Sequence, residues 1–254
     1  MPLLLLAGGS VASASRIDWQ DGNWNGGTAN GYTSGSATGT TNGGGVTVNW
    51  AHFGTADGLQ SGLGGIQPRI LQTVGDGLDG VLTLGTKNDR NTTSLLNYTT
   101  LTITFANLVD LANGALTIQD LDSNGATSWQ DFVAVKAFKG ANTVGVTYGI
   151  LAAHALTTSF ALDGVRGIQN IANSGATQAN ANVGVNFGGD LDKIVLYFFQ
   201  GPLVTSGTGA EHGVWLKDID YTAAVSPVPE PSTVALALAG SLGMLFLRRK
   251  KKQA

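Results

Sequence analysis

The strongest constraint on this chain is a period-two alternation that returns in short runs from one end of its body to the other. Val46 to Phe53 (VTVNWAHF), Thr100 to Phe105 (TLTITF), Ala115 to Gln119 (ALTIQ) and Phe132 to Phe138 (FVAVKAF) are built from Val, Ile, Thr and aromatics. Thr143 to Tyr148 (TVGVTY), Asn182 to Phe187 (NVGVNF), Lys193 to Phe199 (KIVLYFF) and Val214 to Tyr221 (VWLKDIDY) follow the same pattern, with Gly, Asn, Asp and Ser in the gaps. Alternation of this length puts every second side chain on one face of a pleated strand, and the gap residues are those that turn a chain. Before the C-terminal tail, TYGILAAHALTTSFALDG is the nearest approach to a helical stripe, and its Gly and Thr content leaves helix and strand both open. Eight or more short strands predict an all-β domain. A two-sheet sandwich, jelly-roll-like, is the leading architecture. An outer-membrane barrel fits less well, because its strands need about 9–11 residues.

Composition narrows what such a domain can do. With 254 residues, 43% of them hydrophobic, the chain has room for one sizeable core. It contains no Cys, which excludes a disulfide framework, a thiol nucleophile and any thiolate metal site. Five of its 14 basic residues are Arg248 to Lys252. From Arg16 to Pro227 nine Lys and Arg therefore face 16 acids, a net of −7. An acidic body argues against nucleic acid as a partner. Apart from Glu211 those acids are all Asp, the residue of turns and of loops that ligate hard cations.

One such loop stands out. In TIQDLDSNGATSWQDFVAV, Asp120, Asp122 and Asn124 occupy positions one, three and five of a calcium loop, Gly125 position six and Asp131 position twelve. A calcium ion takes six to eight oxygens, and that spacing gathers carboxylates around a tight turn. Asp at position twelve is shorter than the usual Glu, and the flanking runs read as strands, so the loop is not an EF-hand. Two readings stand side by side: a Ca2+ site that pins two strand ends, with Asp120, Asp122, Asn124 and Asp131 as ligands, and an ion-free Asp/Asn turn. Asp218 and Asp220 alternate in the last run, either completing such a site or facing solvent.

Both ends read as processing segments. Residues 1–14 place a Leu-rich run before Ala12-Ser13-Ala14, a small-residue cleavage pattern that would leave Ser15 first. The basic n-region of a signal peptide is missing, so these residues are expected to be its truncated back half. Residues 15–45 are rich in Gly, Asn and Thr, an arm or an irregular edge strand, with Trp19, Trp24 and Tyr32 as the only candidates there for a sugar-stacking platform. Residues 46–226 are the expected β-sandwich domain.

The C-terminus carries Pro229-Glu230-Pro231, then an uncharged run from Ser232 to Leu247, then Arg248-Arg249-Lys250-Lys251-Lys252. As a helix the 16-residue run spans ~24 Å, marginal for a bilayer core of ~30 Å, and the cationic cluster would hold its end on the cytoplasmic side. Residues 227–254 resemble the PEP-CTERM sorting signal. The resemblance implies processing by an exosortase in a Gram-negative bacterium, a transient stop in the inner membrane through a hydrophobic helix over 232–247, and delivery to the cell surface or an extracellular polysaccharide matrix. A permanent single-span anchor is the alternative.

Other motifs carry little. Residues 75–80, GDGLDG, match G-x-G-x-x-G, but two carboxylates inside it would repel a pyrophosphate, and a turn accounts for it. The three histidines are widely spaced, Asn91 and Asn97 open sequon patterns, and no carboxylate pair is singled out, although Asp190 with Glu211 can be nominated. No catalytic or cofactor-binding residue is expected. The sequence therefore predicts a non-catalytic exported surface or biofilm-matrix protein. A carbohydrate-binding module stacking sugars on Trp129, Trp50 or Trp215 is the alternative, with a polysaccharide-active enzyme behind it.

Overall fold

A computed structural model describes residues 14–19, 36–41, 44–53, 69–71, 81–87, 98–123, 129–151, 154–168, 182–202, 204 and 211–224. Strands and no helix are found among them. In chain order they are β1 (Ala14–Ile17), β2 (Ser36–Thr41), β3 (Gly44–Phe53), β4 (Arg69–Leu71), β5 (Val81–Lys87) and β6 (Tyr98–Asp110). Then come β7 (Leu116–Gln119), β8 (Asp131–Lys139), β9 (Asn142–Val144), β10 (Val146–Gly149) and β11 (His154–Ser159). The last are β12 (Leu162–Gly167), β13 (Val183–Phe187), β14 (Leu191–Gln200), β15 (Glu211–Leu216) and β16 (Ile219–Ala223).

They form two antiparallel sheets. The larger runs β1-β16-β6-β14-β8-β12-β11, with β3 and β2 added beside β6 and β9 beside β8; the smaller runs β10-β13-β7-β15-β5-β4. β6 is long enough to hold two partners on one edge. β3 takes Tyr98 to Phe105 and β16 takes Val109 and Asp110, while β14 covers the other edge. At 10 to 13 residues β3, β6 and β14 exceed the runs read from sequence.

Alternation fixes which face is buried. Leu101, Ile103 and Phe105 of β6, Ile194, Leu196 and Phe198 of β14, and Val133, Val135 and Ala137 of β8 point one way. They meet Leu116 and Ile118 of β7, Val183 and Val185 of β13, and Val214 and Leu216 of β15 in one core shared by the two sheets. Full burial of a Val, Leu, Ile or Phe side chain contributes about 1.5–3 kcal/mol, which makes this shared core the main source of stability.

Several expectations are resolved at this level. The segment that hinted at a helix is the end of β10 followed by the β11–β12 hairpin. Phe160 and Ala161 both take positive φ at the hairpin tip, 52° and 59°, strained for non-Gly residues; Phe160 stacks edge-on against Phe199 at 5.7 Å. Two of the sequence runs change sheet midway. Thr143 to Tyr148 divides at Gly145 into β9 and β10, and Val214 to Tyr221 divides at Lys217 and Asp218 into β15 and β16.

Within 15–45, residues 15–17 are an edge strand on β16, and Trp19 is fully buried in the core. Its indole N–H donates to the Lys217 carbonyl at 2.9 Å and its backbone N–H to Asp218 Oδ1 at 3.0 Å. Residues 1–13, 20–35 and 225–254, which include Trp24, Tyr32 and the predicted sorting helix, lie outside the described residues.

Candidate functional site

The aspartate loop bridges the two sheets, since β7 belongs to the smaller and β8 to the larger. Immediately after β7 the backbone turns through Asp120, whose φ of 60° lies in the left-handed region that Asp and Asn tolerate best among side-chain-bearing residues. The two limbs of the loop then pair. Asp131 N–H donates to the Asp122 carbonyl at 3.0 Å, Asp122 N–H donates to Asp131 Oδ2 at 3.1 Å, and Ser123 and Gln130 form an isolated antiparallel bridge. Ser123 Oγ donates to the Trp129 carbonyl at 3.3 Å.

Two residues that sequence reading missed hold this corner in place. Gln130, 1% exposed, donates through Nε2 to the Gly167 carbonyl at 2.7 Å, while its own carbonyl accepts from Gly201 N–H at 2.7 Å. Gly167, at the end of β12, lies so close that a Cβ there would run into the Asp122 backbone. Neither contact has a local sequence signal, because the partners lie 37 to 71 positions away.

Charge is buried at this corner. Asp122 is 2% exposed and Asp131 fully buried. Burial, and then the neighbouring Asp122 carboxylate, push Asp120 up to about 7 from its ordinary 3.8. Burial pushes Asp131 well above the usual carboxylate range; the Asp120 charge adds to this, and the Asp122 N–H opposes it. Desolvation and like-charge crowding both favour protonation or a cation. Among the described residues no three His, Asp or Glu side chains converge closely enough to form a ready-made ion cage. Asn124 and the rest of 124–128, which hold loop positions five to nine, lie outside the described residues. Asp218 and Asp220 are engaged elsewhere: Asp220 Oδ1 accepts from Arg16 Nε at 3.0 Å, and Asp218 accepts from Trp19 and faces Arg16 at 3.8 Å.

The other candidates separate similarly. Trp19 is buried and unavailable for stacking; Trp129 and Trp215 are half-buried. The side chains of Trp50, His52, Glu211 and His212 lie outside the described residues, as do residues 75–80, Asn91 and Asn97. Two adjoining grooves of about 420 and 350 Å³ open where β10 approaches β8, β11 and β12. Their floor is Tyr148, whose hydroxyl accepts from Val135 N–H at 2.8 Å, and whose phenol burial pushes up to about 12. Among the described residues Asp163 is the one carboxylate lining them, and its Oδ1 accepts from Thr158 Oγ1 at 2.6 Å.

Fold and corner together define an all-β, two-sheet protein with buried carboxylates where the sheets join. Its tail is assigned by comparison. Residues 227–251 match the PEP-CTERM protein-sorting motif. The motif marks an exported protein, processed by an exosortase and sorted to the cell surface of a Gram-negative bacterium. No curated protein and no solved structure matches the chain.

Proposed function

We propose that this chain is a non-catalytic component of the bacterial surface or extracellular matrix, whose jelly-roll-like β domain is clamped by calcium at the Asp120–Asp131 corner. The observation that carries the placement is the sorting motif over 227–251, around Pro229, Glu230 and Pro231. The hydrophobic run 232–247 then serves as a transient stop in the inner membrane until the tail is cut.

Strand order supports the jelly-roll reading. Taken as first to eighth, β1, β5, β6, β7, β13, β14, β15 and β16 pair as 1-8-3-6 in one sheet and 2-7-4-5 in the other, the order two Greek keys generate. β8 to β12 extend this plan between its fourth and fifth strands. Burial of Trp19 and partial burial of Trp129 and Trp215 favour a structural use of these rings over a sugar-stacking Trp platform. The calcium reading is supported by Asp120 and Asp131, each raised by burial and by a neighbouring carboxylate in the loop that joins the sheets, where a divalent ion would remove the repulsion and tie β7 to β8.

The placement is tested by replacing Pro229, Glu230 and Pro231 with Ala and fractionating the cells. The expected result is a full-length chain retained in the inner membrane, with little at the surface. An unchanged amount of shortened protein at the surface would reject it.

A further inference from the structure

The outer face of the larger sheet points away from the main core; one end of it carries a second apolar cluster of Phe132, Ala134, Leu162 and Phe199, and the rest segregates charge. Opposite the core-facing residues, Thr100, Thr102 and Thr104 of β6 stand in a column, flanked by Thr47 and Asn49 of β3. Across β14 the same rows continue: Thr100 stands beside Tyr197, Thr102 beside Val195 and Lys136, Thr104 beside Lys193 and Phe138. Lys136 Nζ sits 5.6 Å from the Tyr197 ring centroid and Lys193 Nζ 4.5 Å from that of Phe138, so both ammonium groups rest on aromatic rings. Tyr98 closes one end, with its ring 6.2 Å from that of Tyr197.

Arg166, in register with Phe132, adds a third cation. Its Nη1 is buried and has no hydrogen-bond partner among the described residues, a donor in want of an acceptor. Three of the nine basic residues of a body with net charge −7 thus share one face, and no Asp or Glu stands in these rows. Carboxylates at the end of the sheet are occupied: Asp190 pairs with Lys139 at 3.4 Å, and Asp192 accepts from Gly140 N–H at 2.8 Å.

We propose that this face, from β3 across β6 and β14 to β8, docks an acidic polysaccharide. The inference rests on the surface or matrix placement above and names the polymer's chemistry and its seat. Each element of the face answers a feature of such a chain. Half-exposed Tyr197 offers a ring for a sugar face, Thr47, Asn49, Thr102 and Thr104 offer hydroxyl and amide groups for sugar hydroxyls, and the cations answer carboxylate or sulfate. Three inter-strand steps of ~4.8 Å make the seat ~14 Å wide, enough for an extended chain crossing the strands. Nucleic acid fits less well, since its dense phosphate line would meet a net-acidic protein. The face's apolar residues Phe132, Ala134, Leu162 and Phe199 are buried against one another rather than offered to a protein partner.

The test is affinity electrophoresis of the full-length protein in detergent, with chelator present so that calcium bridging plays no part. Gels would contain polygalacturonate, neutral hydroxyethylcellulose or double-stranded DNA. Retardation by polygalacturonate alone is expected, fading as salt shortens the screening length below ~10 Å. A Lys136→Ala/Lys193→Ala variant should bind roughly tenfold more weakly with its melting temperature unchanged, and Tyr197→Ala should lose a smaller factor without altering the salt dependence. Equal retardation by the neutral polymer, preference for DNA, or wild-type binding by a folded double-Lys variant would overturn the proposal. A processed, surface-located chain that binds no polygalacturonate rejects this inference alone. A chain that binds but keeps its tail in the inner membrane rejects the placement instead.

Discussion

The centre of the larger sheet and the corner between Asp120 and Asp131 are held together by different physics. At the centre, β6, β14 and β8 contribute alternating apolar side chains to a single core, and their backbones are paired on both edges along most of their length. None of the side chains these strands bury in that core is ionisable. At the corner the backbone is also well paired, yet its side chains are carboxylic acids withdrawn from water. The centre depends on apolar burial and backbone pairing, neither of which involves a proton or an ion. The corner is expected to hold best when protons or a cation neutralise it.

The largest effects should come from breaking the centre. Phe198→Ala and Trp19→Ala each remove a fully buried ring, and each should cost about 3–5 kcal/mol in chemical denaturation, in calcium or in chelator alike. For Trp19 the lost bonds to Lys217 and Asp218 add to the loss, so this residue tests whether the N-terminal segment belongs to the fold. Gly167→Ala strikes the corner from outside. Its new methyl group would press on the Asp122 backbone, and we expect a loss of about 1–3 kcal/mol, with any calcium response weakened at the same time.

A smaller effect follows from pH. Asp120 is raised to about 7 in the folded protein against an ordinary 3.8, and Asp131 is raised as well, so the folded state binds more protons than the unfolded state between those values. The contribution of these groups is therefore fully present below about pH 4 and is lost as pH rises through about 7. In chelator, the melting temperature of the wild type relative to Asp120→Asn should fall from pH 4 to pH 8. At pH 8 the Asn variant should melt higher. Calcium should reverse that order, because the variant loses a charged ligand. A difference that is flat with pH would show that burial at Asp120 leaves its charge unpenalised.

Much of the centre was legible in the sequence because a strand with one buried face must alternate. Thr100 to Phe105, Phe132 to Phe138 and Lys193 to Phe199 lie within β6, β8 and β14, with the apolar set facing the core. Alternation does not say where a strand leaves its sheet, so the crossings at Gly145 and at Lys217–Asp218 were hidden inside continuous runs. Nor does it place a lone Trp in a Gly-rich stretch, and the burial of Trp19 depends on β16 some 200 positions later. At the corner the acids were visible from their spacing. Their environment was not, because it depends on Gln130 reaching Gly167 and on β12 closing over Asp122. The sorting motif over 227–251 was legible, since such a signal is read as a linear string and needs no fold.

The most direct test of an ion-clamped corner on a self-sufficient core is thermal unfolding of the full-length protein at neutral pH, in millimolar calcium and in chelator, beside Asp122→Ala. An ion at a hundred times its dissociation constant contributes about 2.7 kcal/mol, which for a domain of this size raises the melting temperature by roughly 5–10 °C. The account predicts such a rise for the wild type and its absence in Asp122→Ala. Superimposable wild-type curves with and without calcium would contradict it, leaving the Asp120–Asp131 loop as a turn that carries its buried acids protonated.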